Sequence, residues 1–502
     1  MQRWLPKPRP ARNWQNDRFI NQDQRMNTNR ATRLARHGES LMTDLLRSAI
    51  DPASIAVIGA SDDPNKIGGR PIHYMLRQGY RGTILPINPN RDKIQGVTAY
   101  PSLEALLQVP ELAIVAVAGD AAVQAVETCA RLGVGTAVVI ASGFGETGEA
   151  GRATQQTMVD TARAHGMRIV GPNTQGLANF GNGAIANFST LFTEIAPLDG
   201  PVAIASQSGG MSQVIYGLVR EKGIGVRHVH ATGNEADVSV ADIAWAVVHD
   251  PQVRLLLMYM ESIANPELLA RAAAVARERD IPIVALKPAR TASGRRAAMS
   301  HTGAKPDDDR FVDEFLAAHG IWRVDDPYRL ALATGAYLKG WRPAGRRLVV
   351  ISNSGASCVL AADASETLNL PLAQLAPETR AQVAAKLPGF ATSTNPIDIT
   401  AALLSNSRLF SDVLPILAND PAADLFFINI PVAGAGYDVE AFARDTASFE
   451  KMTGKPVVVA VGREPIARVF EQAGVTTFAD ETDALGVLAQ LAGHSELMRK
   501  PR

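Results

Sequence analysis

From residue 52 onward, short apolar runs alternate with stretches of helical periodicity. This alternation is typical of parallel sheets joined by crossover helices. Five strands are predicted in the first part of the chain, at 54–61, 83–87, 112–117, 136–140 and 168–170. Five strands with helices between them indicate a Rossmann-like domain at 46–180.

Two further units, at 196–340 and 345–490, are similar to each other. The matching runs are 202–210 with 348–356, 253–260 with 423–430, and 281–286 with 455–460. Each copy predicts a flavodoxin-like sheet, and a repeat this long indicates duplicated domains and not a solenoid. The predicted fold class is α/β, with a Rossmann-like domain followed by two flavodoxin-like parallel-sheet domains.

The segment 1–45 differs from the rest of the chain. It is rich in arginine, asparagine and glutamine and has neither a helical nor a strand period, so it predicts a disordered tail. A basic arm that docks on a partner is one alternative. Another is that Met42 is the natural start and that the upstream residues come from a misassigned start codon.

Composition excludes several classes of protein. The 502 residues carry 50 lysines and arginines against 50 aspartates and glutamates, so no global field favours nucleic acid or an anionic membrane. No apolar run reaches the roughly 18 residues that a membrane span needs, and no signal peptide is predicted at the N-terminus. Two distant cysteines, Cys129 and Cys358, exclude a disulfide framework and favour the cytoplasm.

The duplication provides an internal control for function. Lys287 and Gly320 are 33 positions apart in the first copy, whereas the matching Val461 and Gly474 are 13 apart in the second. The extra residues at 290–304 predict a loop that a packed scaffold does not need. Loops that follow strand C-termini carry the chemistry of such sheets, and this one contains His301 as its single histidine.

The turn after the first strand is a candidate anion site. Gly59 and Ser61 begin it, and Lys66 precedes a helix whose N-terminus would favour a phosphate. The second strand is followed by Asn88 and not by an acidic residue, which disfavours ordinary NAD binding. A structural strand-to-helix turn is the alternative interpretation.

A second candidate lies at 206–212. Small polar residues at a strand-to-helix junction form an anion nest, here with Ser208, Gly209 and Gly210. Ser354 and Gly355 repeat the pattern in the other copy without a histidine, and there we favour a structural role.

The third candidate pairs His301 with Glu261. Glu261 follows a strand at its C-terminal edge, where the other copy has Pro431. A neutral imidazole is a competent nucleophile towards phosphoryl groups. A carboxylate on its far nitrogen would fix the tautomer and stabilise the charge that develops.

These motifs together resemble those of the ADP-forming acyl-CoA synthetases, in the superfamily of succinyl-CoA synthetase. The similar blocks are 59–61 with 66–68, 86–89, 171–173, 206–210, 233–238 and 297–304. The resemblance covers about residues 45–490, and the block around His301 is the most specific.

The resemblance implies a role for each candidate residue. His301 would carry the phosphoryl group and Glu261 would orient it, while Ser208, Gly209 and Gly210 would hold the phosphoryl group. The residues expected along CoA are Gly59, Ser61, Lys66, Asn88 and Asn173. No metal site is expected on this chain.

Two departures from the family pattern bear on activity. The family commonly has a cysteine after the Gly-Pro-Asn motif, whereas this chain has Thr174 and Gln175. That position lies near the expected CoA thiol. After the His301 block, small residues are replaced by Lys305, Pro306 and an acidic run, which bears on the hinge of a swinging loop.

The ATP-grasp module that binds nucleotide in this family has no counterpart in the sequence. The resemblance therefore implies an alpha subunit that needs an ATP-grasp beta subunit, on which ATP and Mg²⁺ would bind. The alternatives are a catalytically inactive CoA-binding regulator or scaffold, which the departures motivate, and a Rossmann oxidoreductase.

Overall fold

The computed structural model describes the backbone of residues 46–302 and 307–500, and the side chains of 46–299 and 307–500. The predicted tail at 1–45 and the residues 303–306 lie outside the described residues. Within the described part, no helix is both long enough and apolar enough to cross a bilayer.

The strands are β1 (Ser54–Ile58), β2 (Thr83–Ile87), β3 (Lys93–Ile94), β4 (Val97–Thr98), β5 (Leu112–Val115), β6 (Thr136–Val139), β7 (Arg168–Val170), β8 (Gly176–Asn179), β9 (Ala184–Asn187), β10 (Val202–Ser206), β11 (Val226–Ala231), β12 (Leu255–Tyr259), β13 (Ile283–Leu286), β14 (Ile321–Val324), β15 (Leu348–Ser352), β16 (Ile397–Asp398), β17 (Leu425–Asn429), β18 (Val457–Ala460) and β19 (Thr476–Phe478).

The helices are α1 (Arg70–Arg77), α2 (Asp120–Leu132), α3 (Glu149–Ala164), α4 (Leu191–Glu194), α5 (Gly209–Glu221), α6 (Val240–Val247), α7 (Pro266–Glu278), α8 (Ala292–Thr302), α9 (Asp309–Ala318), α10 (Pro327–Leu332), α11 (Thr334–Leu338), α12 (Gly355–Thr367), α13 (Pro377–Ala384), α14 (Ala402–Ser405), α15 (Leu409–Ala418), α16 (Val439–Thr453), α17 (Glu464–Gln472) and α18 (Glu481–Arg499). Residues 46–50 are also helical.

The first sheet has the strand order β2-β1-β5-β6-β7, and all its pairings are parallel. The chain moves from β1 to β2 on one side and then returns to the other side of β1 at β5. The strand order therefore reverses between β1 and β5. Ligands of doubly wound sheets bind in the crevice at such a reversal.

The second sheet has seven strands, in the order β14-β13-β12-β10-β11-β8-β9. The strands from β14 to β11 are parallel, and the order reverses between β10 and β12. The hairpin of β8 and β9 extends this sheet in antiparallel pairing with β11. The expected boundary at 180 falls inside that hairpin, so residues 176–187 supply strands to the second sheet.

The third sheet has the order β16-β15-β17-β18-β19, and it is parallel throughout. It repeats the reversal of the second sheet, here between β15 and β17. The α/β class with Rossmann-like and flavodoxin-like sheets, predicted from the alternating pattern, is thereby confirmed.

The three units share one large buried cluster of apolar side chains, to which the strands contribute alternate residues. In β15, Leu348 and Val350 belong to a buried cluster shared with the second sheet, whereas Val349 and Ile351 belong to a core confined to the third unit. The two faces differ because successive side chains of a strand point to opposite sides. Helix α18 adds a further link, since the ring of His494 is hydrogen-bonded to the Tyr337 hydroxyl at 2.8 Å.

Candidate active site

The turn after β1 sits at the reversal point of the first sheet. Gly59 has a φ of +81°, and a Cβ on it would lie 2.9 Å from the carbonyl oxygen of Ala116, just beyond β5. Such a φ and so close an approach both favour glycine. A Cβ on Gly68 would lie 2.1 Å from the Gly59 carbonyl oxygen. The glycines therefore allow the turn to fold tightly against the start of α1.

The other predicted CoA residues of the first unit surround this turn. The backbone N–H of Ser61 donates to the Gly68 carbonyl at 3.3 Å, and Lys66 is exposed. The side-chain amide of Asn88 donates to the Ala60 carbonyl at 2.9 Å. Asn88 thus braces the turn from the end of β2, where a dinucleotide site would need a carboxylate.

Asn173 lies where the first unit meets the second. Its backbone has a φ of +58°, and its N–H donates to the carbonyl of Ala141, which follows β6. Its side-chain amide donates to the Asn234 side chain at 3.2 Å, while the Asn234 N–H donates to the Pro172 carbonyl at 3.0 Å. Two of the sequence blocks, 171–173 and 233–238, are therefore in direct contact.

The two residues that depart from the family pattern have different environments. Thr174 is buried, and its hydroxyl donates to the Ala231 carbonyl at 2.6 Å and accepts from the Gly176 N–H at 3.0 Å. Gln175 packs on the start of α5, since a Cβ on Gly209 would lie 2.6 Å from its Cγ. Thr174 therefore serves the fold locally, and Gln175 faces the anion nest.

The nest forms the N-terminus of α5, directly after β10. Ser208 is the N-cap, and its hydroxyl oxygen accepts from the Met211 N–H at 3.2 Å. Gly209 and Gly210 are the first helical residues, and the first N–H groups of a helix have no acceptor within the helix. A Cβ on Gly210 would find only the Ser208 hydroxyl nearby, at 3.9 Å. The nest therefore has room for an anion and the dipole to attract it.

Glu261 lies across the sheet reversal from this nest, two residues after β12. Its backbone N–H donates to the side-chain oxygen of Gln207, the residue before Ser208, at 2.5 Å. Removal from water and the charge and hydrogen bond of Glu261 together raise the pKa of Tyr259 to about 12. Glu261 and the nest are thus joined through Gln207.

Sequence reasoning did not single out Glu235, although the block containing it was recognised. Its carboxylate accepts from Gln207, from the Thr232 hydroxyl and from the Val240 N–H, at 2.9, 2.8 and 2.6 Å. Removal from water, with the charges of Asp242 and Glu261, raises the pKa of Glu235 to about 7. An acidic residue with a raised pKa beside an anion nest is a functional candidate.

The extra residues of the second unit form helix α8, where a loop was predicted. Between β18 and β19 the third unit has α17, whereas the second has both α8 and α9 between β13 and β14. The alanines and arginines at 292–298 are strong helix formers, which accounts for the difference. His301 belongs to α8, but its side chain, and therefore its predicted contact with Glu261, lies outside the described residues.

Ion pairs hold both ends of the segment that carries α8. Arg290, before the helix, lies 2.7 Å from Asp325, and Arg323 lies 2.7 Å from Asp309. Lys287, at the end of β13, is buried and lies 3.7 Å from the carboxylate of Asp307. Burial lowers the pKa of Lys287. The residues that precede α8 are therefore connected by ion pairs to the residues that follow it.

The predicted site residues form linked groups. Gly59, Ser61 and Asn88 surround one turn at the carboxyl edge of the first sheet. Ser208, Gly209, Gly210 and Glu261 meet at the reversal of the second sheet. Asn173 connects to this second group through Gln175, two residues on. Their roles in binding and catalysis stay predictions.

Comparison with known proteins bears on this arrangement. A family model described as a CoA binding domain matches residues 53–179, and one described as a succinyl-CoA ligase like flavodoxin domain matches 199–336. These matches cover the turn after β1 and the unit that contains the nest, Glu261 and α8.

Relatives and a solved structure extend the similarity over most of the chain. The alpha subunit of ADP-forming acetate–CoA ligase II from Pyrococcus furiosus is 30% identical over 444 residues, which are 86% of this chain and 94% of that protein. ADP-forming 4-hydroxybutyrate–CoA ligase from Nitrosopumilus maritimus is 30% identical over 78% of this chain, which spans only 55% of that enzyme.

The solved structure is the dinucleotide forming acetyl-coenzyme A synthetase 1 of Candidatus Korarchaeum cryptofilum, in complex with phosphate and ADP. It aligns with a TM-score of 0.81 and 27% identity over 91% of this chain and 98% of that one. The similarity in sequence and fold therefore runs through all three units, and the chain belongs to the ADP-forming acyl-CoA synthetase family.

Proposed function

We propose that this chain is the CoA-binding, phosphohistidine-carrying subunit of an NDP-forming acyl-CoA synthetase. The reaction is a carboxylic acid, CoA and ATP giving acyl-CoA, ADP and phosphate. One observation carries the proposal: of two duplicated units, the one with the nest and Glu261 also has the additional helix that contains His301. The third unit has the same order of five parallel strands without that helix.

The phosphoryl group of ATP reaches the acid in two steps, through His301, and a third step forms the thioester. A nitrogen of His301 attacks the γ-phosphorus of ATP, and ADP leaves. The carboxylate of the acid then attacks the phosphorus of the phosphohistidine to form an acyl phosphate, and His301 leaves as imidazole. Finally the CoA thiolate attacks the acyl carbon and phosphate leaves. In phosphoryl transfer, positioning and charge stabilisation supply most of the catalysis.

The residues of this chain take the following roles in the proposal. The N-terminus of α5, with Ser208, Gly209 and Gly210, binds the phosphoryl group while the acid reacts. Glu261 stabilises the positive charge on the His301 ring. The residues that bind CoA are Gly59, Ser61, Lys66, Asn88 and Asn173, with the Lys66 ammonium as the fixed charge for a phosphate of CoA.

We further propose that ATP and Mg²⁺ bind to a separate ATP-grasp beta subunit. A relative that is named an alpha subunit supports this proposal, since this chain matches 94% of that protein's length. We also propose a cytoplasmic location, which is supported by the two free thiols of the chain, Cys129 and Cys358.

Reconstitution tests the proposal. The chain is isolated from its native source at neutral pH with the proteins that accompany it, and formation of ADP and acyl-CoA is measured with a panel of small carboxylic acids. We expect activity that requires an accompanying ATP-grasp protein and that is lost in His301→Asn. A chain that is fully active with ATP as a lone monomer would contradict the two-subunit proposal. Tight CoA binding without any phosphohistidine would favour the regulator instead.

A further inference from the structure

The side-chain amide of Gln207 is saturated with hydrogen bonds. Its oxygen accepts from the N–H groups of Glu261 and Ser262, at 2.5 and 3.1 Å. Its nitrogen donates to the Glu235 carboxylate at 2.9 Å and to the Ser262 hydroxyl at 3.2 Å. One side chain thus connects the loop that carries Glu261 with the block that carries Glu235.

The backbone of Gln207 is held as firmly as its side chain. Its N–H donates to the Tyr259 carbonyl at 3.0 Å, and its own carbonyl accepts from the Gly233 N–H at 3.0 Å. Gln207 therefore sits at the reversal between β10 and β12, between the nest and Glu261. Held in this way, its side chain is a rigid support for the loop after β12.

Glu235 determines which way the Gln207 amide faces. Every hydrogen bond described for the Glu235 carboxylate uses it as an acceptor: from Gln207, from the Thr232 hydroxyl and from the Val240 N–H. The amide nitrogen must therefore face Glu235, which leaves the amide oxygen for the loop. A flipped amide would place oxygen against carboxylate and NH₂ against two N–H groups.

The third unit shows that the fold does not need this support. The position of Gln207 is taken there by Asn353, and that of Glu261 by Pro431, which has no N–H. The Asn353 amide instead donates to the Val432 carbonyl at 2.5 Å. The Asn353 side-chain oxygen has no partner among the described residues. The sheet and the helix after β15 form nonetheless.

We propose that Gln207 is a positioning residue for Glu261, and that the carboxylate of Glu235 fixes the orientation of the Gln207 amide. The proposal rests on the proposed function, in which Glu261 stabilises the charge on His301. Outer hydrogen-bond partners of this kind typically change activity by about 10- to 100-fold when they are removed. Gln207 itself touches neither the phosphoryl group nor the histidine in this account.

This support depends on the protonation of Glu235. Removal from water, together with the charges of Asp242, from α6, and Glu261, from the loop after β12, raises the pKa of Glu235 to about 7. A proton on the oxygen that faces Gln207 would turn an acceptor into a donor and displace the amide. Labelling of His301 is therefore expected to slow as the pH falls below about 7.

Substitutions at Gln207 test the proposal by the rate at which His301 is labelled from acyl-CoA and radioactive phosphate. Gln207→Asn introduces the residue of the third unit, so the variant is expected to fold, and Gln207→Leu removes the amide. Both should slow labelling by about 10-fold or more, with CoA affinity unchanged. Gln156→Leu, an exposed amide on α3, is the matched control and should label like wild type.

The Glu235→Gln variant tests the proposal a second time, through the pH dependence of the labelling rate. It imitates the protonated carboxyl at all pH values, so it should label slowly, and its rate should fall less than the wild-type rate between about pH 8 and pH 6. A folded Gln207→Leu variant with the wild-type rate, or an unchanged acid limb in Glu235→Gln, would overturn the proposal alone. A wild-type chain without label at His301 would overturn the proposed function, and the inference with it.

Discussion

The side-chain oxygen of Gln207 and the backbone nitrogen of Glu261 are 2.5 Å apart, across the point where the strand order of the second sheet reverses. This contact brings together two segments that are 54 residues apart in the chain. It places the backbone of Glu261 beside the residue that precedes the N-cap of α5, the helix whose dipole favours an anion at its N-terminus. In the proposed function, the Glu261 carboxylate would stabilise the imidazolium that forms when His301 carries the phosphoryl group.

Substitution of Glu261 tests this arrangement directly. Glu261→Gln keeps the size of the side chain and removes its charge, so we expect the rate of His301 labelling to fall by about 100-fold, the range of a positioned acid–base group. CoA affinity, measured by calorimetry, should not change, since the proposed CoA-binding residues lie on the first unit. Glu267→Gln, an exposed carboxylate on α7, is the control. Equal labelling rates in the two variants would contradict the role of Glu261.

The nest is tested by Gly210→Ala. The only atom near the new Cβ is the Ser208 hydroxyl at 3.9 Å, so the folded chain has room for it, and alanine is favoured over glycine in a helix by about 1 kcal/mol. The third unit already has Ala356 at this position. We expect unchanged or higher thermal stability together with an increase of about 10-fold in KM for phosphate, since the methyl group would occupy part of the anion site. An unchanged KM would argue that the phosphoryl group binds elsewhere.

The turn after β1 is tested by a matched pair of glycines. Gly59→Ala and Gly79→Ala both place alanine at a positive φ, and this costs about 1–2 kcal/mol in each. Only at Gly59 would the Cβ meet other atoms, the Ala116 carbonyl among them, whereas at Gly79 no atom lies within 4 Å. We expect loss of CoA binding in Gly59→Ala alone, by calorimetry. Similar CoA affinity in both variants would mean that the turn after β1 has a structural role and does not bind CoA.

Asp237 is expected to dominate the acid sensitivity of the contact between the first two units. Its buried carboxylate accepts from the side chains of Arg163 and Arg168 and from the Ile169 N–H, each at 2.9 Å, and these partners hold its pKa below the usual range. A lowered folded-state pKa contributes stability that is present above the unfolded value of about 3.9 and is lost as the pH falls through the folded value.

Asp237→Asn should therefore lower the free energy of unfolding by about 3 kcal/mol at pH 7, the scale of a broken buried ion pair. The difference from wild type should shrink below about pH 4, where the wild-type carboxyl also takes up a proton. Urea denaturation at several pH values measures this. A difference that stays constant down to pH 3 would mean that the charge of Asp237 contributes little.

Much of the fold was predictable because buried parallel strands are short and apolar. The runs at 83–87 and 168–170 match β2 and β7 at both ends. The hairpin of β8 and β9 was not predicted as part of the second sheet. Its strands contain Asn179 and Asn187, and its place is set by pairing with β11, about 50 residues further on. Such distant pairing leaves no periodic signal in the local sequence.

The candidate site was predictable where the duplication supplied a comparison. The insertion around His301 and the contrast of Glu261 with Pro431 are both visible as differences between the copies. Gln207 and Glu235 were missed as site residues because their importance arises from contacts across 28 and 54 positions. The aligned copies already differ at this position, with Gln207 in one and Asn353 in the other, and this difference could have indicated Gln207 as a site residue.

The phosphorylation of His301 itself is the most direct test of the account. The purified chain is incubated with radioactive phosphate and a panel of acyl-CoA thioesters, without nucleotide, and is then analysed by mass spectrometry at neutral to alkaline pH. We predict an acid-labile phosphoryl group on His301 that depends on acyl-CoA, is absent in His301→Asn, and is released as ATP when ADP and the ATP-grasp partner are added. A chain that binds CoA but stays unlabelled with every thioester, or carries the label on another residue, would contradict the account.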